Sequence, residues 1–274
     1  MSDFVPDLDA YFARIGYTGP REPTLATLHA ITGLHAAAIP FENLDILLGR
    51  GISLDPAAVE RKLVHDRRGG YCFEQNSHLL RVLGALGFSA APISARVRWQ
   101  RPRDFTPPRT HVFVRVELDG ASWLTDVGIG SLSLTSAIPL DESGNELPTP
   151  HEPRRILREG ARLHHQVRLG REWHDVCEFT LEEMPPIDRD LANWWTSTNP
   201  NSKFRQSLVA ARAGPNATRY VINNREFAIR DAEGRANTRD IASPSDLLAL
   251  LATHFSLHFP ADTRFILPNP LWPE

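Results

Sequence analysis

The sequence predicts an α+β protein built in three successive parts: a helical bundle over residues 1–90, a β sheet or barrel over 91–190, and a smaller α/β portion over 191–274. Two observations carry this. Apolar residues recur at helical spacing up to about residue 90 and then alternate with polar ones, and after residue 190 strand-like pieces mix with a single convincing helix. At 274 residues the chain has ample material to bury a site.

In the first part, Leu25, Leu28, Ile31, Leu34 and His35 form one helical stripe. A second runs from Cys72 through Leu79, Val82, Leu83 and Leu86 and stops at Gly87. In the second part, the segments HVFVRVEL, SWLTDV, HHQVRL and HDVCEFTL alternate with period two between Pro, Gly and Asp. The third part holds RYVINN and EFAIRD, a DAEG turn, and the helix SPSDLLALLATHF, capped by Ser243 and opened by Pro244. The Pro139–Arg154 stretch and NWWTSTNPNSKF read as boundaries or lids. Trp194, Trp195 and Phe179 read as packing residues.

The composition is that of an ordinary folded protein, 42% apolar and 23% charged. With 30 Lys plus Arg against 33 Asp plus Glu, the formal charge is -3, so no basic field is available for nucleic acid or an anionic membrane. The start MSDFVPDLDAYFARIG lacks the basic flank and apolar stretch of a signal peptide. No run reaches a membrane-spanning length, and two cysteines, Cys72 and Cys177, are too few for a disulfide framework. These features predict a cytoplasmic protein.

The chemistry concentrates in two segments. In RRGGYCFEQN, Cys72 begins an amphipathic helix, where free backbone N–H groups and the positive helix end favour a thiolate. The preceding glycines are expected to allow a sharp turn and leave room for a substrate carbonyl near the sulfur. In THVFVRVELDGASWLTDVGIG, Asp119-Gly120 is a two-residue hairpin signal. If Leu118 faces Ala121, then Phe113 faces Asp126 and His111 faces Gly128, which makes His111 and Asp126 diagonal neighbours on one sheet face. Val112, Val114 and Val116 then supply the core from the other face, leaving the His111 face to look into a cleft. An acid aimed at a histidine, with a cysteine at a helix start, is the arrangement that generates a thiolate–imidazolium pair. Cys72, His111 and Asp126 are therefore the candidate nucleophile, base and orienting acid of an acyl-transferring enzyme.

The segments IPFENLDILLG, R-G-G-x-C-x-E-x-N (Arg68 to Asn76), the T-H segment beginning at Thr110, and DVGIG (Asp126 to Gly130) resemble, in order, the motifs of the arylamine N-acetyltransferases. The resemblance covers nearly the whole chain, weakening after about residue 230. It implies a helical bundle, a β barrel and an α/β lid around a catalytic core like that of papain and the transglutaminases. It also implies acetyl transfer from acetyl-CoA to arylamines or arylhydrazines through an S-acetyl cysteine, in xenobiotic metabolism. Carried over by motif, Val97, Trp99, Thr110 and Gly128 become coenzyme A contacts, and Phe41, Ile129 and Phe204 line the acceptor pocket. Ile129 stands where the family has Phe.

His164, His165, His174 and Cys177 lack metal-ligand spacing, and no metal is expected. Cys177 reads as a buried strand residue. Two other acyltransferase signatures, R/Q-x-x-G-x-G/A and H-x-x-x-D-G, are absent from the sequence, which favours the cysteine route. The rival readings are a macrolactam-forming amide synthase, another papain-like cysteine amidase or transglutaminase, and a non-catalytic binding module.

Overall fold

The structure, a computed structural model, describes residues 4–272; the first three residues of the acidic start and the last two of the C-terminal part lie outside them. Helix α1 (Leu8–Ile15) begins where Asp7 accepts the Ala10 N–H and ends at Gly16, whose φ of 72° is the left-handed stop that glycine allows. Helix α2 (Leu25–Ala38) is capped by Thr24. After a short strand β1 (Phe41–Glu42), helix α3 (Leu44–Leu47) and helix α4 (Pro56–Glu60) with its π-helical continuation Arg61–His65 lead to α5 (Cys72–Ala85). The α5 side chains Leu79, Val82 and Leu83 are fully buried against Tyr11, Leu28 and Ile31. Their burial contributes about 1.5–3 kcal/mol each, enough to fix the helix that carries Cys72.

Seven antiparallel strands follow the bundle: β2 (Ser89–Val97), β3 (His111–Leu118), β4 (Ala121–Thr125), β5 (Ile138–Pro139), β6 (Arg154–Glu159), β7 (Arg162–Leu169) and β8 (Glu172–Glu183). They pair in the order β5-β4-β3-β2-β8-β7-β6. The bridges Ser143–Ile156 and Leu147–Arg154 tie the connection after β5 to the far edge strand β6, so the sheet is nearly a closed barrel. The Pro139–Arg154 stretch is therefore the seam of the barrel, with Leu140 and Leu147 buried, and not a loose boundary.

The β3–β4 hairpin turns on Asp119 and Gly120, both at positive φ, as a tight two-residue turn requires. Leu118 pairs with Ala121, and the register runs back to Val114 opposite Thr125. There the ladder ends, so the expected facing of Phe113 with Asp126 and of His111 with Gly128 is not made by strand pairing. The Asp126 carbonyl instead accepts the Leu134 N–H at 2.7 Å as the chain turns away. The faces also differ from expectation. Val114 and Val116 do pack on the helices, but Phe113, on the His111 face, is fully buried in the barrel interior, so that face meets a packed core and not an open cleft.

The last part holds α6 (Pro186–Thr198), α7 (Lys203–Gln206), β9 (Val209–Ala213), β10 (Arg219–Asn223), β11 (Glu226–Arg230), β12 (Ala236–Asp240) and α8 (Pro244–Phe255), the last capped by Ser243 as its sequence predicts. Its sheet has the order β1-β9-β10-β11-β12, so the strand Phe41–Glu42, out of the otherwise helical first part, supplies one edge. Helices α6 and α7 account for most of NWWTSTNPNSKF. Phe179 packs in the barrel, but Trp194 is 60% exposed, against the packing role expected of it. Barrel and C-terminal sheet are joined by a buried carboxylate, Glu152, which accepts from Arg154 on β6 (2.9 Å), Arg219 on β10 (2.7 Å) and Arg230 on β11 (3.1 Å).

Candidate active site

Cys72 is the first residue of α5, and the segment before it is fixed from both sides. The Tyr71 N–H donates to Glu74 at 3.0 Å, Glu74 receives Lys62 at 2.6 Å, and Arg68 reaches Glu42 at 2.7 Å. The Tyr71 hydroxyl donates to Asn193 on α6. Gly69 and Gly70 serve close packing, correcting the sequence reading of them as room for substrate. A Cβ on Gly69 would lie 2.2 Å from the Pro40 carbonyl oxygen, and one on Gly70 would lie 2.7 Å from Glu74 Oε2. The glycine that approaches the sulfur's own residue is Gly128, where a Cβ would come within 2.6 Å of Cys72 Cα.

The barrel brings two side chains to this helix start. His111 Nε2 hydrogen-bonds Asp126 Oδ2 at 2.8 Å, and the Cys72 thiol lies beside the imidazole. With Nε2 committed to the acid, Nδ1 is the nitrogen left for the thiol. Cys72 Sγ also lies 3.7 Å from the Thr110 carbonyl oxygen. Asp126 Oδ1 accepts from Asn76 Nδ2 at 2.8 Å and from the Gly128 N–H at 2.9 Å. All three candidate residues are almost wholly removed from solvent.

Electrostatics follow from this packing. Burial alone would strip His111 of its charge, but the Asp126 carboxylate, its hydrogen bond and the thiol outweigh that and raise the imidazolium to about 10. Burial alone would raise the Asp126 carboxyl; the His111 charge and hydrogen bond, with Asn76 and the Gly128 amide, hold it below the usual carboxylate range. The arrangement can store a positive charge beside a sulfur and return a proton to a neighbouring atom, which is the requirement of thiol acyl transfer.

The remaining sequence-identified positions fall into two groups. Phe41 and Phe204 are together, their ring centroids 5.8 Å apart, with Tyr71 5.7 Å from Phe204 and Gly130 backed against Phe41. Ile129 sits instead at the edge of the barrel core with Val97 and Trp99. Val97 is half-buried opposite Cys177, Trp99 lies edge-on to His174, and the Thr110 carbonyl meets Cys72. Gly128 donates its N–H to Asp126. Spacing alone gave no role to Asn76, yet it touches Asp126; its position four residues after Cys72, on the same helix face, is the signal in the sequence. Glu152 had no signal, because its three arginines come from separate strands.

A family model described as N-acetyltransferase matches residues 24–264. The arylamine N-acetyltransferase of Mycobacterium tuberculosis (strain ATCC 25618 / H37Rv) is 39% identical over 256 residues, covering 92% of this chain and 89% of its own. That of Escherichia coli (strain K12) is 38% identical over 252 residues, with coverage of 92% and 89%. Among solved structures, Mycobacterium marinum arylamine N-acetyltransferase in complex with CoA superposes with a TM-score of 0.87 at 34% identity, covering 91% of this chain and 92% of that one. Motifs, fold and relatives agree over nearly the full length: the chain is an enzyme of the arylamine N-acetyltransferase family.

Proposed function

We propose that the enzyme transfers acetyl groups from acetyl-CoA to arylamines or arylhydrazines in two half-reactions through an S-acetyl-Cys72 intermediate. One observation carries this reading: a buried histidine, hydrogen-bonded to Asp126 at 2.8 Å, stands beside a thiol at a helix start. The M. marinum relative with CoA bound supports the donor, and the arylamine N-acetyltransferase relatives support the acceptor.

In the first half-reaction the Cys72 thiolate attacks the thioester carbon, forming a carbon–sulfur bond. Amides at the head of α5 steady the oxyanion. The bond to coenzyme A sulfur then breaks, and the His111 imidazolium gives its proton to the departing thiolate. In the second, the amine nitrogen attacks, the bond to Cys72 breaks, and His111 collects the amine proton. Aromatic amines and hydrazines suit this step because they are largely unprotonated near neutral pH, so the base has only one proton to take. Asp126 holds the ring orientation and balances its charge. Val97, Trp99, Thr110 and Gly128 are assigned to the coenzyme A side and Phe41 and Phe204 to the acceptor side, while Ile129, packed with Val97 and Trp99, is set apart from the two phenylalanines. Soluble, cytoplasmic operation without a metal completes the reading.

Intact-mass and peptide analysis after mixing with acetyl-CoA tests it. The expected result is one acetyl group on Cys72, removed on adding an aniline, and none on a Cys72→Ser variant of unchanged circular dichroism. Absence of the adduct on reduced wild-type protein overturns the proposal.

A further inference from the structure

Asn76 is 1% exposed, and its side-chain amide is fully used. Its Nδ2 donates to the Val112 carbonyl at 2.7 Å and to Asp126 Oδ1 at 2.8 Å, while its Oδ1 accepts the Val127 N–H at 3.0 Å. The three partners adjoin or belong to the reacting set: Val112 follows His111 in β3, and Val127 follows Asp126. Asn76 itself lies one helical turn from Cys72. One side chain thus pins the helix bearing the sulfur to both barrel segments bearing the base and the acid.

We propose that Asn76 is the positioning residue of this enzyme, setting which Asp126 oxygen serves His111 and holding the His111–Asp126 pair at working distance from Cys72. The inference rests on reading Cys72, His111 and Asp126 as the reacting groups. A carboxylate can rotate about its last bond unless both oxygens are engaged. Here Oδ1 is taken by Asn76 and the Gly128 N–H, which leaves Oδ2 aimed at His111 Nε2. An asparagine suits the place because it donates twice and accepts once without adding charge; an acid there would repel Asp126, and an aliphatic residue would leave the Val112 carbonyl and Val127 N–H unpaired. The titratable groups facing the pair are Cys72 on α5, His165 on β7 and Cys177 on β8.

The test is iodoacetamide alkylation of Cys72, followed by peptide mass spectrometry from pH 5 to 10, in wild type, Asn76→Ala and the near-isosteric Asn76→Leu. Without Asn76 the His111–Asp126 pair is no longer held against the start of α5, and an imidazolium farther from the sulfur favours the thiolate less. The rate at pH 6 is expected to fall about tenfold in the variants, one unit of differential protonation, while the rate at pH 10 stays level. A uniform fall across the pH range, an unchanged profile, or loss of the circular dichroism spectrum in both variants assigns Asn76 to the framework alone and overturns the proposal. Iodoacetamide needs no acyl donor. Failure of acetyl-CoA to label wild-type Cys72 would therefore sink the transfer mechanism separately from the role of Asn76.

Discussion

Two histidines share the interior of one barrel and end in opposite states. His111 and His165 are both buried, and the ring of Phe113 lies between them, 5.0 Å from the first and 6.3 Å from the second. Burial pushes both toward neutrality. Beside His111 stands a carboxylate at 2.8 Å, and the imidazolium is held to about 10. Beside His165 stands the Arg154 guanidinium at 3.5 Å, which adds to the burial and lowers the ring to about 3. The same residue type in the same core is a charge reservoir in one place and an inert ring in the other. Partner sign, and not burial, decides which.

Removing the anion should break this contrast most severely. Asp126→Asn leaves His111 with burial and no countercharge, the condition of His165, and acetyl transfer is expected to fall by roughly 10⁴-fold with circular dichroism unchanged. Transfer within tenfold of wild type would show that His111 does not depend on the acid. The second carboxylate of the interior offers the reverse experiment. Glu152 holds three guanidiniums, and after Glu152→Gln they remain buried without a counterion, at a cost of about 3–5 kcal/mol. At ~2–4 °C per kcal/mol, the thermal midpoint should drop by roughly 10 °C, with transfer by the folded fraction unchanged. Loss of transfer without loss of stability would tie Glu152 to the reaction instead.

A smaller effect separates the histidines by pH. His165, like His35 and His78, is lowered to about 3 when folded. Each contributes stability that is present above the unfolded value near 6.5 and is lost as pH falls toward 3. Burial costs their charged forms, so the unfolded chain binds protons that the folded one refuses. His165→Leu removes one such proton, and urea unfolding between pH 4 and 6 should show a slope shallower by up to about 1.4 kcal/mol per pH unit. Equal slopes would mean that His165 titrates normally.

The sequence made local features legible and long-range ones only in part. The start of α5 at Cys72, the β3–β4 turn at Asp119-Gly120 and the Ser243 cap are each decided by a few adjacent residues, and alternation marks β3, β7 and β8 clearly. His111 and Asp126 could be paired by parity because a tight hairpin joins their strands, although the ladder stops before reaching Asp126. Parity could not say that the shared face turns into a packed barrel, since that depends on β8 lying beside β2 and bringing Phe179 onto Phe113. The two-residue strand β1 is set by β9, some 170 positions away, and carries too few residues for any period. Helix α6 was hidden by its Asn, Ser and Thr content, residues that favour turns but are here held by the Tyr71–Asn193 contact and a half-buried Trp195.

The charge on His111 is the point on which the account rests, and it is directly measurable. In free enzyme labelled on histidine nitrogen, the His111 ring resonances, assigned by comparison with a His111→Gln variant, should report imidazolium across the neutral range. Because the folded value lies above the unfolded one, the associated stability is present below about pH 6.5 and lost as pH rises through about 10, where the resonance should titrate. A His111 ring that loses its proton near 6.5, as an isolated histidine does, would contradict the account.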